Sequence, residues 1–268
     1  MSNFIGAIVG DTCGSVYEWH NAKDYDEIQF FNDGIKPTDD SVLSCAVADW
    51  LASTNGGKDS NQKEVLINRL RAYGHKFPCA GYGRKFKGWL NSENTDPIGS
   101  CGNGAGMRCS ACGYVAETYE EAFDLAKKSA EVTHNHEEGI KGAQAIAGAV
   151  WLARQGWEKN DIKNKIEEDF GYDLSRRVDD IHGSHKFDAT CQVTVPEAII
   201  AFLEADDFEE CFYKAIWIGG DSDTIACMAC AIGGAYYGVP SYIAEKVWET
   251  LPKDLKDAIK KFEDYVSF

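Results

Sequence analysis

Apolar residues recur at helical spacing along most of the chain. Val42, Cys45, Ala46, Asp49 and Trp50 follow an i, i+3, i+4 rhythm, as do Val65, Leu66, Arg69, Leu70 and Tyr73, and again Ala122, Leu125, Ala126 and Ala130. The same spacing predicts helices over 140–153, 162–170, 195–203, 208–218, 225–237, 243–251 and 255–265. Strict alternation is scarce, and only 189–195 has the β-branched character of a short extended piece. Start signals agree with this pattern. Pro240-Ser241, Pro252-Lys253-Asp254 and Pro196-Glu197 each open a helix, and Asp39-Asp40-Ser41 puts acids in a first turn, where they complement the helix dipole. No linker, repeat or low-complexity tract divides the chain, so the expectation is a single all-α domain over residues 1–268.

Periodicity fails in two stretches. Residues 76–106 are dense in glycine and include Pro78 and Pro97, and 171–194 are polar and glycine-punctuated. Aperiodic segments of this length in a compact protein are usually functional loops. The acidic run from Glu204 to Glu210 reads instead as a solvated connection between helices.

Charge narrows the partners. The chain has 268 residues, 43 acidic and 27 basic, for a net charge of −16. That balance excludes general electrostatic attachment to nucleic acid or to an anionic membrane, since both need a cationic footprint. An anionic ligand must therefore be met by a local device. With 44% apolar residues there is material for a sizeable core. The N-terminal residues carry no basic region ahead of an apolar run, and the apolar part of the uncharged stretch 224–244 is short and broken by Gly233 and Gly234. These features predict a monomeric cytoplasmic protein with no membrane partner, whose ten cysteines are thiols. The Cys-x-x-Cys pairs Cys109/Cys112 and Cys227/Cys230 lie in apolar helical context and read as core packing.

Two clusters carry the candidate chemistry. Thr38-Asp39-Asp40 precedes a helix predicted to begin at 41, and Gly219-Gly220-Asp221-Ser222-Asp223-Thr224 precedes one predicted to begin at 225. Capping needs one such oxygen, whereas each start supplies two carboxylates and a hydroxyl, without His or Cys. That donor set suits magnesium or manganese, and four converging carboxylates would repel severely without a cation between them. The glycine-rich Gly99-Ser100-Cys101-Gly102-Asn103-Gly104-Ala105-Gly106-Met107-Arg108 follows no strand and lacks a Lys-Ser/Thr ending. It fits neither nucleotide-loop fingerprint, yet it can turn backbone N–H groups toward an anion. A small-residue helix running into Glu18-Trp19-His20, and Thr133-His134-Asn135-His136, complete the inventory.

The order of these pieces resembles the ADP-ribosylglycohydrolase family. The residues that carry the likeness are Gly6 to Asp11 with Gly14 and Glu18, Thr38-Asp39-Asp40, Gly102 to Arg108, Thr133-His134, Thr194-Val195-Pro196 and Gly219 to Thr224. The resemblance implies a compact all-α fold with a dinuclear cleft holding two Mg2+ ions, or Mn2+, on Thr38, Asp39, Asp40, Asp221, Asp223 and Thr224. It further implies a diphosphate wrapped by Gly99, Ser100, Cys101, Gly102, Asn103 and Gly104, with His134 beside it. Glu18, Asp39 and Asp223 fall at catalytic positions, Glu18 being the acidic residue on a segment over the metals. The implied activity is cleavage of the bond between ADP-ribose and a protein side chain, arginine or serine, or a small acceptor. Cys101 stands where some members have an aromatic residue, and Ala111 and Glu137 where many have proline. Two other classes remain open: a non-catalytic, crystallin-like ADP-ribose binder, and an all-α magnesium enzyme acting on another diphosphate. The second usually carries a further acid on the same helix, where Leu43 and Ser44 stand.

Overall fold

The structure, a computed structural model, describes residues 3–182 and 186–267. In chain order the α-helices are α1 (Ile5–Gly14), α2 (Asp39–Ser53), α3 (Gln62–Lys76), α4 (Arg84–Leu90), α5 (Ser110–Val115), α6 (Tyr119–Glu131) and α7 (Glu137–Arg154). They continue with α8 (Lys159–Phe170), α9 (Val178–His182), α10 (Cys191–Glu204), α11 (Phe208–Ile218), α12 (Ser222–Tyr237), α13 (Ser241–Thr250) and α14 (Lys253–Val266). The fold is all-α. Among the described residues the one β-type pairing is an isolated antiparallel bridge between Gly102 and Thr190.

Helix α12 forms the axis of the core, packed by α1, α7, α10 and α11. It is buried from Ser222 to Gly234, as its nearly unbroken apolar sequence requires. The contact with α1 is backbone on backbone. A Cβ on Gly10 would lie 2.2 Å from the Ala226 carbonyl oxygen, and one on Gly6 would lie 2.4 Å from that of Cys230. Only glycine permits such an approach. Gly14, one turn further, faces the Asp223 backbone, so the same stripe delivers Asp11 and Asp223 to one place. Outer helices are amphipathic. In α14, Leu255, Ala258, Ile259 and Phe262 face inward while the lysines face solvent.

Several boundaries differ from the sequence expectation. Helix α2 begins at Asp39, two residues before 41, with both acids in its first turn as the Asp39-Asp40-Ser41 start signal predicts, and α12 begins at Ser222 rather than 225, which takes Asp223 and Thr224 into its first turn and leaves Asp221 at the cap. Pro196 is inside α10, not at its start. The Gln192 carbonyl that loses its partner to proline is on an exposed residue, where water can satisfy it. Of the expected extended piece 189–195 only Thr190 is extended and bridged, and helix α10 takes over from Cys191; Val195 packs against Gly106 and Gly142 on a buried helical face, where burial overrides its β-branched preference. Helices α4 and α9 arise within the two aperiodic stretches. Cys109, Cys112, Cys227 and Cys230 are buried free thiols in the core. No helix among the described residues is long and apolar enough to cross a membrane.

Candidate active site

The floor of one cleft, about 450 Å³ in volume, is acidic. Thr38 caps α2 by accepting the Asp40 N–H, which turns Asp39 and Asp40 into the first helical turn. Asp11, fully buried at the end of α1, accepts the N–H and hydroxyl of both Thr38 and Ser41, and so docks the start of α2 on α1. Across the floor, Gly219 and Gly220 take positive φ, +85° and +67°, and feed Asp221 into the N-terminus of α12. Asp221 accepts a 2.7 Å bond from Asn103 Nδ2, and the Thr224 hydroxyl also donates to it. Two groups result in which single carboxylate oxygens all lie within 4.8 Å of one another: Asp11, Asp40 and Asp223, and Glu18, Asp221 and Asp223.

One rim is formed by the segment after α1. Asn21 ties it to the floor, donating to the carbonyls of Tyr17 (2.8 Å) and Gly220 (3.1 Å) while accepting from the Gly220 N–H (3.0 Å). Glu18 is thereby held over Asp221 and Asp223. Trp19 beside it stacks on Phe187, with ring centroids 5.2 Å apart and both rings exposed at the cleft mouth.

The opposite wall is made from loops. Ser100, Gly102, Asn103 and Gly104 line it with His134, and exposed Arg84 and Lys85 from α4 add positive charge. The N–H groups of Gly99, Gly102 and Asn103 are already engaged, by Asn135 Oδ1, Ser100 Oγ and the Ala189 carbonyl. The loop therefore offers fewer free amides than a bare glycine run suggests, and the His134 side chain and the two cations stand beside it on the wall.

Electrostatics at the floor are severe. Burial, then the charges of Asp11 and Asp221, push the Asp39 carboxyl up to about 8. Burial and neighbouring acids push Asp40 and Asp223 well above the carboxylate range. Asp11 is raised by burial even against its hydrogen bonds from Ser41 and Thr38. Glu18, half-buried, rises to about 7, through burial first and the Asp221 charge second. One buried oxygen, Asp40 Oδ1, has no hydrogen-bond partner. Clustered all-oxygen donors with an orphaned acceptor are the environment that a hard divalent cation completes.

Of the sequence-predicted residues, the structure brings Glu18, Asp39, Asp40, Asp221, Asp223, Thr224, Ser100, Gly102, Asn103, Gly104 and His134 to one cleft. Thr38 sits behind it, with its hydroxyl on Asp11. Gly99 and Cys101 are outside the lining; the Cys101 carbonyl instead accepts the Cys191 N–H. Asp39 lies apart from the two tight carboxylate groups, and Asp11 takes its place among them. Asp11, Asn21, Arg84 and Lys85 were not assigned from sequence. A signal for Asp11 existed in the Gly6, Gly10, Gly14 spacing around it, which marks a helix face pressed against another backbone.

Comparison with known proteins follows the same lines. The profile of the ADP-ribosylglycohydrolase family matches residues 3–267. ADP-ribosylhydrolase ARH3 of Gallus gallus is 28% identical over 311 aligned positions, covering 87% of this chain and 83% of that protein. ADP-ribosyl-[dinitrogen reductase] glycohydrolase of Rhodospirillum rubrum is 25% identical, covering 89% and 85%. Among solved structures, an ADP-ribosylglycohydrolase-related protein complex superposes with a TM-score of 0.68 at 21% identity over 99% of this chain and 93% of that one, a likeness of fold.

Proposed function

The chain belongs to the ADP-ribosylglycohydrolase family, and from that premise we propose that it is a divalent-metal-dependent hydrolase that frees ADP-ribose from an arginine or serine side chain or a small acceptor. The observation that carries this reading is the placement of Glu18 over the Asp11, Asp40, Asp221 and Asp223 floor, facing a wall of Ser100, Gly102, Asn103, Gly104 and His134. A floor of carboxylates alone would repel a diphosphate. A floor loaded with cations next to that wall accommodates one.

Asp11, Asp40, Asp221 and Asp223 are the residues that would hold Mg2+ or Mn2+, with Asp39 and Thr224 at their edge. When bound, the cations supply Lewis acidity toward the ribose hydroxyls and the attacking water. The chain's own residues do the rest. His134, Arg84 and Lys85 hold the diphosphate end, so that the anomeric carbon is presented over the floor. Breaking the glycosidic bond builds positive charge on the sugar, which the surrounding carboxylates stabilise. Glu18, half-buried above the floor, is placed to give a proton to the departing acceptor atom and to take one from water. Its neighbours Trp19 and Phe187 place the acceptor at the cleft mouth.

Incubating the protein with ADP-ribosylated arginine and serine peptides, with and without a chelator, tests the reading. Release of free ADP-ribose from one of them, abolished by chelation and restored by Mg2+ or Mn2+, is the expected result. Tight binding without release would identify a non-catalytic ADP-ribose binder instead.

A further inference from the structure

Arg108 ends the glycine-rich motif, yet it does not line the cleft. It is fully buried beneath the loop. Its Nη2 donates to the Ser129 carbonyl at 2.6 Å and to Thr133 Oγ1 at 2.9 Å. Nε and Nη1 have no hydrogen-bond partner, and among the described residues no carboxylate offsets the charge. Its titratable neighbours are Cys109, Cys112 and Cys191, thiols that burial keeps neutral. A buried guanidinium with no anion is costly, and the chain here is strongly acidic. The direction of its one side-chain contact shows what it does.

Arginine only donates, so Thr133 Oγ1 must accept from it. Thr133 Oγ1 lies 2.7 Å from His134 Nδ1. Thr133 is fully buried and its hydroxyl has only these two partners; Arg108 cannot accept, so the hydroxyl hydrogen is satisfied only by pointing at Nδ1. A neutral imidazole that accepts at Nδ1 carries its proton on Nε2. Nε2 faces the loop: a Cβ on Gly104 would meet it at 3.0 Å and one on Gly102 at 3.7 Å.

We propose that Arg108 is a positioning residue which, through Thr133, locks His134 as the Nε2–H tautomer and aims that donor at an anionic diphosphate oxygen in the cleft. The identity of the anion rests on the proposed function; the tautomer does not.

Nitrogen-15 NMR of the full-length protein labelled at histidine, together with calorimetric titration with ADP-ribose, tests this. The wild-type protein shows His134 with Nδ1 unprotonated and Nε2 protonated. Thr133→Val, which keeps shape and removes the hydroxyl, gives a mixture of tautomers and about tenfold weaker ADP-ribose binding, with near wild-type melting. Arg108→Met reproduces both changes if it folds, and Arg108→Lys restores the single tautomer. A wild-type His134 protonated at Nδ1 overturns the proposal, and so does a Thr133→Val protein that keeps one tautomer and wild-type affinity. If the wild-type protein binds no ADP-ribose, the hydrolase reading is what fails, and the tautomer shift in Thr133→Val alone decides the relay.

Discussion

The two sides of the cleft are built on opposite principles. On the floor, Asp11, Asp40 and Asp223 project from helices α1, α2 and α12, are almost wholly buried, and are fixed by backbone packing through Gly10 and Gly14. On the wall, Ser100, Gly102, Asn103, Gly104, His134, Arg84 and Lys85 come from loops and helix ends, the two cations exposed, and meet only because segments distant in sequence are pinned together by bonds such as the Gly102–Thr190 bridge. A rigid, desolvated floor suits a cation, whose ligands must be held to tenths of an ångström. A polar, partly wet wall suits a flexible dianionic ligand that can share its charge among several donors. The difference predicts that floor variants act through metal and stability, and wall variants through ligand affinity.

The largest effect falls on the floor's shared residue. Asp223 belongs to both carboxylate groups, so Asp223→Ala removes an oxygen from each. Turnover on whichever ADP-ribosyl conjugate the protein hydrolyses should drop by about a thousandfold or more, about 4 kcal/mol of transition-state stabilisation, with the stabilising effect of Mg2+ on melting also lost. An Asp223→Ala protein with intact turnover would separate the acidic floor from the chemistry altogether.

The packing beneath the floor comes next. Gly10→Val would drive a side chain into the Ala226 carbonyl, which is backbone and cannot swing aside. The expected cost is about 3 kcal/mol, a fall in Tm of roughly 10 °C. Gly88→Ala in α4, on the wall side, is the control: nothing lies within 4 Å of the added atom, so the melting temperature should hold or rise slightly. Equal losses at the two sites would erase the contrast between floor and wall.

How much of this could be read from the sequence follows the same division. The floor was legible where its acids are local: Asp39-Asp40 and Asp221 to Asp223 fall in runs whose composition exceeds what a helix cap needs. Asp11 was not, because a lone acid in an apolar helix acquires its role from the helix pressed against it, and that contact joins residues more than 200 apart in the chain. The wall was legible only as a glycine run. That Cys101 turns its carbonyl to Cys191, that Asn103 spends its amide on Asp221, and that α4 brings Lys85 over the cleft are all tertiary outcomes. The helices themselves were the easiest part, since 3.6-residue periodicity survives almost any packing, while the ends of α2, α10 and α12 depended on caps and partners.

A smaller but diagnostic effect concerns pH. In the metal-free folded protein, the raised carboxyls of Asp39, Asp40 and Asp223 retain protons that the unfolded chain releases above about pH 4. The folded state then binds more protons than the unfolded state, so stability falls as pH rises from about 4 to about 8, by about 1.4 kcal/mol per pH unit for each proton held. A bound divalent cation replaces those protons. The gap in Tm between Mg2+-loaded and chelated protein should therefore widen steadily between pH 5 and pH 8. A gap that is constant with pH would mean that the cation does not enter among these carboxylates.

The smallest effect belongs to an exposed member of the wall. Lys85 lines the cleft from the second position of α4, and solvent around it screens its charge. Lys85→Ala should weaken ADP-ribose binding by only about threefold at low salt, and the difference from wild type should vanish toward 0.5 M NaCl, because an exposed charge contributes roughly 0.2 to 1 kcal/mol before screening. Calorimetric titrations across a salt series make the measurement. Thr133→Val, whose effect runs through a buried hydrogen bond, should keep its deficit over the same series. If Lys85→Ala instead costs more than tenfold and salt does not relieve it, then the wall holds a desolvated charge as the floor does, and the cleft closes around its ligand far more tightly than its exposed rim suggests.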